Sequence, residues 1–261
     1  MKIYKPKVYY KSSENMEEVR DNSVQLIVTS PPYNVNIDYG LHNDNMALEE
    51  YLKDFLFPIW KECKRVLCKG GRIAVNVADV GRKPHIPLHV YITQQFLDLG
   101  LLMRGTIYWD KSVSAGVSTA WGSWRSASNP TLRDVGEYII VFCKDSYRLQ
   151  RKKEDEKVST ISAEEFTEFT KSVWRIKTTS AKKEGHPAPF PEEIPYRLIQ
   201  LYTFVGDTVL DPFLGSGTTL KVAMSLGRRG IGYEINENYS SIIENKIHNF
   251  QSNFRFYKNL K

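Results

Sequence analysis

"DTVLDPFLGSGTTLKVAMSLGRRGIGYE", residues 207–234, decides the fold. Asp207–Leu210 reads as a short strand, Thr218–Leu226 as a helix and Arg229–Glu234 as a second strand. Strand, Gly-rich turn, helix and strand is the unit that joins two parallel neighbours. A helix over Glu192–Tyr202 precedes it, and a closing helix over Tyr239–Phe250 follows.

Upstream the alternation continues. Lys7–Tyr10 reads as a strand, Glu14–Val19 as a helical stretch and Val24–Thr29 as a buried strand. From Leu48 to Leu67, apolar residues recur at three and four (Leu52, Phe55, Leu56, Ile59, Trp60, Cys63, Val66), so the spacing predicts an amphipathic helix. Pro58 is expected to kink it and Gly70-Gly71 to end it. Arg72–Val77 is the next strand, Leu88–Leu99 a helix, and Leu102–Trp109 and Glu137–Cys143 two more strands. No convincing helix lies between these last two, which makes them antiparallel neighbours. Seven strands mostly separated by helices imply one largely parallel α/β sheet with helices on both faces, in a single domain over residues 1–261. The segment 144–184, polar and containing "RKKEDEK", has no sustained period.

Composition narrows the class. The net charge of +6 fits a polyanionic partner without establishing one. Cys63, Cys68 and Cys143 form no CxxC pair, and an odd number suits reduced thiols. His85 and His89 sit four apart, but Pro87 between them disfavours a helical metal pair, so no metal is expected. With no leader and no apolar run of membrane-spanning length, the expectation is a soluble cytoplasmic protein with no membrane partner.

Two strand ends carry the chemistry. In "VLDPFLGSGTT" (209–219), Gly215-Ser216-Gly217 lets a ligand approach the backbone, and the helix that follows offers unpaired N–H groups. A turn of this kind alone is equally a structural device, and no Lys-Ser/Thr follows it as in a phosphate loop. Glu234 adds direction: it ends the next strand seventeen residues after Gly217, about where an acid binds ribose hydroxyls in dinucleotide sites. Asp211 beside the turn would repel a pyrophosphate and welcome a cation. A nucleoside with positive charge at its other end, S-adenosylmethionine, meets both requirements.

The other strand end is "TSPPYN" (29–34). Pro31 and Pro32 lack N–H donors and fix two φ angles, so the turn presents carbonyls. Ser30 adds a hydroxyl and Tyr33 a flat face, acceptors for an NH₂ group beside a stacking platform. Read alone, this is a strand terminator followed by a core tyrosine.

Together the two motifs resemble the S-adenosylmethionine-dependent amino-group DNA methyltransferases. Ser30-Pro31-Pro32-Tyr33 matches their catalytic tetrapeptide of Asp, Asn or Ser, two prolines and an aromatic residue. The run Asp211-Pro212-Phe213-Leu214-Gly215-Ser216-Gly217-Thr218-Thr219 is similar to their cofactor loop, joined by Glu234. "GHPAPFPEEIPYRLI" (185–199) resembles the segment that caps the cofactor pocket, with Phe190 the expected contact.

The resemblance implies a Rossmann-like seven-stranded sheet with one antiparallel strand and a circularly permuted motif order, the tetrapeptide preceding the loop. This is the order of the family's β group. In that sheet the strands ending at Thr29 and Asp211 lie side by side. Many relatives carry Gly-Asp after the first strand, where this chain has Lys11-Ser12-Ser13.

The function implied is methylation of the exocyclic amine of a base flipped from double-stranded DNA. Serine at the first tetrapeptide position leans toward cytosine N4, with adenine N6 the alternative. An RNA or protein-amide methyltransferase, or a non-catalytic partner subunit, is a more distant reading. The loop 111–133 and the segment 144–184 are the candidate DNA-recognition region, with Lys111, Trp121, Trp124, Arg125 and Arg133 as contacts. A cognate restriction endonuclease, a second copy of the chain and a prokaryotic cytoplasm complete the expectation.

Overall fold

The computed structural model describes residues 3–38, 42–81, 83–114, 124–151, 157–179 and 191–248. Its sheet has eight strands, in the order β1-β8-β7-β2-β3-β5-β4-β6. They are β1 Lys7–Tyr9, β2 Val24–Thr29, β3 Leu67–Val77, β4 Leu102–Asp110, β5 Gly136–Cys143, β6 Val173–Arg175, β7 Thr208–Asp211 and β8 Arg229–Tyr233. Only β5 runs against its neighbours, pairing antiparallel with both β3 and β4. The central pair is the expected one, with Leu26 and Ile27 of β2 opposite Val209 and Leu210 of β7.

Alternate residues feed opposite faces, as a doubly covered sheet requires. On one face Ile27, Ile73, Val75, Ile140, Phe142 and Leu210 pack with Trp60, Cys63, Ile92 and Phe96 of two helices. On the other, Leu26, Val28, Ala74, Ile139, Val141 and Val209 meet Ile194, Leu198, Ile199, Val222 and Ala223. These helices are α1 (Leu48–Glu50, continuing through a π-helical turn Tyr51–Leu56 into Phe57–Val66), α2 (Leu88–Asp98), α4 (Glu193–Tyr202) and α5 (Thr218–Ser225). Residues 240–248 are also helical. Among the described residues no helix is long and apolar enough to cross a membrane. All three cysteines are buried free thiols.

Four expectations need correction. The sheet has an eighth strand because Val173–Arg175 pairs parallel with β4, and three residues are too few to show a period. That strand and the helix α3 (Ala163–Phe169), closed by a Ser162/Glu165 capping box, make part of 144–184 integral to the fold. Trp174 is fully buried there, and the Trp109 indole N–H donates to the Ile176 carbonyl at 2.8 Å. Glu14–Val19 forms turns, not a helix, because the side chains of α1 take its backbone groups. Glu62 accepts from the Met16 N–H, and Arg65 donates to the Met16 and Val19 carbonyls.

Gly70-Gly71 does not end α1. The helix stops at Val66, Leu67 is already extended, and both glycines lie inside β3. Gly70 is required there for another reason: its φ is +74°, and a Cβ would stand 2.0 Å from the Arg148 carbonyl oxygen. Near Pro58 the helix does depart from α geometry, with the Phe57 N–H reaching back to the Leu52 carbonyl, one residue beyond α-helical spacing.

Candidate active site

Because β2 and β7 are parallel neighbours, their carboxyl ends emerge together, where open α/β sheets bind ligands. Asp211, at the end of β7, joins the two. Its Oδ1 accepts from the Thr29 hydroxyl at 2.7 Å and the Phe213 N–H at 3.1 Å, and its Oδ2 from the Thr219 hydroxyl at 2.7 Å. Burial pushes the Asp211 carboxyl up to about 6. This corrects the expectation that Asp211 greets a cationic ligand: it is 1 % exposed, its oxygens serve the protein, and it does not line the cavity beside it.

That cavity, about 220 Å³, is bounded by both loops. From the first come Ser30, Pro31, Pro32 and Tyr33, all four tetrapeptide residues. Pro32 does not offer its carbonyl outward as expected, since that oxygen accepts from the Tyr51 hydroxyl at 2.6 Å. From the second loop come Pro212, Phe213 and Gly215, together with Glu234. Ser216, Gly217, Thr218 and Thr219 stand behind the wall. Lys246 donates to the hydroxyls of Ser216 (2.9 Å) and Thr218 (3.1 Å), and Gly217, at φ +85°, caps α5. The loop's backbone also carries Gly215 at φ +54°.

Glu234 ties the second loop to β8. One carboxylate oxygen accepts from the Gly215 N–H at 2.8 Å and the other from the Asn236 N–H at 2.9 Å. Burial raises its pKa. Each oxygen keeps further acceptor capacity, and the residue lines the cavity. Lys11, Ser12 and Ser13, where relatives carry Gly-Asp, leave β1 at the same edge and line it too. A carboxylate with acceptor capacity to spare, small hydroxyls and the apolar faces of Phe213 and Ile235 fit a nucleoside. Phe190 lies outside the described residues.

Several residues lining the cavity were not foreseen, two polar ones among them. Asn76 and Glu137 line it, and Lys111 pairs with Glu137 Oε1 at 2.7 Å. Lys111, expected as a DNA contact, does not itself line the cavity but stands behind Glu137 at its edge. Since β5 is reversed, its first residues rather than its last reach the carboxyl edge, and Glu137 comes beside the Tyr33 hydroxyl at 3.0 Å. The only signal in the sequence was an acid opening the apolar run "GEYIIVFCK".

Of the other DNA candidates, Trp124 is 68 % exposed with the Arg125 guanidinium over its ring at 5.6 Å. Arg133 is half-buried, and neither it, Trp124 nor Arg125 lines the cavity. Trp121 lies outside the described residues.

Comparison with known proteins agrees with this fold. Residues 24–245 match the N6_N4_Mtase model, described as DNA methylase. The type II methyltransferase M.MjaI of Methanocaldococcus jannaschii is 34% identical, over 92% of this chain and 90% of its own. The DNA adenine methyltransferase YhdJ of Escherichia coli is 30% identical, over 86% of this chain and 76% of its own. Among solved structures, a Thermus thermophilus protein assigned as a DNA modification methylase and complexed with S-adenosyl-L-methionine superposes with a TM-score of 0.75. It is 29% identical, and the match covers 94% of each chain. The cytosine-N4-specific PvuII methyltransferase shares the fold, with a TM-score of 0.68 at 19% identity over 94% of each chain. With adjacent strands β2 and β7 delivering a Ser-Pro-Pro-Tyr turn and a Gly-rich loop to one cavity, and with residues 24–245 matching the family model, the chain belongs to the N6/N4 family of S-adenosylmethionine-dependent DNA methyltransferases.

Proposed function

We propose that the chain methylates cytosine N4 at specific sites in double-stranded DNA. The observation that carries this reading is Ser30, first residue of the tetrapeptide, in the same cavity as Glu234. Glu234 and the backbone of Pro212–Gly215 hold the nucleoside half of S-adenosylmethionine, with Phe190 as a cap. When bound, that cofactor supplies an electrophilic methyl group on a sulfonium.

The protein's own task is alignment. An amine inside a duplex cannot reach a buried donor, so the base must be extruded, at a cost of a few kcal/mol. Stacking on Tyr33 recovers about 1–3 kcal/mol of that. The Ser30 Oγ and the Pro31 carbonyl accept the two amine hydrogens, which draws the nitrogen lone pair out of conjugation and aims it at the methyl group. Asp211, behind the wall, keeps the two loops in register.

Adenine N6 is the second reading, and its support is the 30% identity to YhdJ, named an adenine methyltransferase. Digestion of methylated duplex DNA and identification of the modified nucleoside separates the two. N4-methylcytosine upholds the proposal, and N6-methyladenine alone overturns it.

Glu234→Gln is expected to weaken S-adenosylmethionine binding ten- to a hundred-fold, the worth of about 1.5–3 kcal/mol for a hydrogen bond to a charged group. The amide also sets an N–H against that of Gly215 or Asn236, whose donors the carboxylate now accepts. Calorimetric titration of the variant checks this.

We assign DNA contact to the exposed Trp124–Arg125 pair, to Arg133 and to Trp121, in the region formed by 111–133 and the exposed parts of 144–184. Arg125→Ala should weaken DNA binding several-fold and flatten its salt dependence, since one phosphate contact contributes a slope of about 0.9. Cofactor affinity should not change, which equilibrium binding at two salt concentrations will show. A cognate restriction endonuclease, suggested by the type II relatives, a homodimer and a prokaryotic cytoplasm belong to the same proposal.

A further inference from the structure

We infer that Glu137 is a positioning residue that makes Ser30 a hydrogen-bond acceptor. The inference rests on the reading of Ser30 given above. A hydroxyl is ambivalent: Ser30 Oγ lies 2.9 Å from the Tyr33 hydroxyl, and either atom could donate. If Tyr33 donates to Ser30, the serine's own proton is released toward the cavity and meets the amine hydrogens head-on. If Ser30 donates to Tyr33, its lone pairs face the amine. The rate therefore depends on which way one proton points.

The surrounding groups decide. Glu137 Oε2 accepts only, and it sits 3.0 Å from the Tyr33 oxygen. Tyr33 has a single proton; the Asn76 backbone carbonyl stands at 3.5 Å, the edge of hydrogen-bond reach, and the nearer, charged carboxylate takes it. Asn76 Nδ2 also faces the Tyr33 oxygen at 3.0 Å, and it donates to Glu137 Oε2 at 2.5 Å. The carboxylate fixes that amide too, because the reverse orientation would set the Asn76 carbonyl against Glu137. The orientation leaves Asn76 Oδ1 buried with no protein partner among the described residues, a cost that the two bonds of Nδ2 outweigh.

Lys111 occupies the other carboxylate oxygen, Oε1, at 2.7 Å and leaves Oε2 to Tyr33 and Asn76. Tyr33 is left as an acceptor toward Ser30. The chain of donors then runs amine to Ser30, Ser30 to Tyr33, Tyr33 to Glu137. The same bond to Glu137 holds the Tyr33 ring at the cavity wall.

Glu137→Gln tests it. The amide can present an N–H to the Tyr33 oxygen and reverse the chain. The single-turnover methylation rate should fall about 10²-fold, while S-adenosylmethionine affinity stays at its wild-type value; the loss of the Lys111 ion pair lowers thermal stability, so rates are compared well below the unfolding transition. Tyr33→Phe keeps the ring, removes the linking hydroxyl and should fall by a similar factor, whether or not the Glu137 variant folds. The double variant should be no slower than the slower single, because both act through one chain. Ser30→Ala should be equally slow with Glu137 or with Gln at position 137.

Rates of Glu137→Gln and Tyr33→Phe near wild type, with Ser30→Ala inactive, would overturn the inference and leave the reading of Ser30 intact. Losses that multiply in the double variant would overturn it as well. A wild-type Ser30→Ala rate would instead remove the reading on which it rests.

Discussion

Ser30→Ala is expected to lower the single-turnover rate of methyl transfer about 10³-fold, the upper range for removing one preorganised polar contact to the reacting group. The affinity for S-adenosylmethionine should not move, because Glu234 and the Gly215 loop are untouched. A loss confined to the chemical step marks an interaction made in the transition state. The fold should tolerate the change. The turn is held by two prolines, by the Tyr51 hydroxyl on the Pro32 carbonyl, and by Thr29 on Asp211. Rapid-quench measurement with labelled cofactor reads the rate, and titration of the same variant reads the binding. A variant that binds the cofactor and methylates at the wild-type rate would remove Ser30 from the mechanism.

The second large effect concerns stability and pH. The Asp211 carboxyl has its ordinary value of 3.8 raised to about 6 by burial. Between those pH values the folded chain holds a proton that the unfolded chain has released. Stability therefore falls as pH rises from about 4 to about 6. At about 1.36 kcal/mol per unit, the contribution over that window is about 3 kcal/mol. Asp211→Asn cannot titrate, so its unfolding free energy should lack this slope. Urea unfolding at pH 4, 5, 6 and 7, compared between wild type and variant, gives the difference directly. A pH difference of the opposite sign would mean that the three donors around Asp211 outweigh its burial.

The sequence made the two parallel strand ends legible because each apolar run stops on residues with unusual backbone demands. Pro31-Pro32 and Gly215-Ser216-Gly217 are visible without knowing what lies nearby. Glu137 and Asn76 were not legible as site residues, and Lys111 was read only as a DNA contact, since each is ordinary in its own segment. They meet only because β5 runs backward, and no local period reports that.

Asp211 was found but misread for the same reason. An acid beside a glycine turn looks available until Thr29, far upstream, and Thr219, on the next helix, are seen to claim it. Gly70-Gly71 looked like a helix stop because glycine pairs often are. The backbone of Arg148, pressed against Gly70, supplied the true cause. Val173–Arg175 is too short for alternation, and it joins the sheet through Trp174 and its pairing to β4.

The bond between Thr29 and Asp211 spans 182 residues of chain. Until residues 208–211 are made, β2 has a partner on one side only, and its apolar edge stands open to any other extended chain. Such a contact forms late, after a long loop has closed. The two loops of the site therefore cannot meet in a nascent or truncated chain. Methylating capacity appears all at once, as the last central strand slots in, and no half-length fragment can carry a weakened form of it.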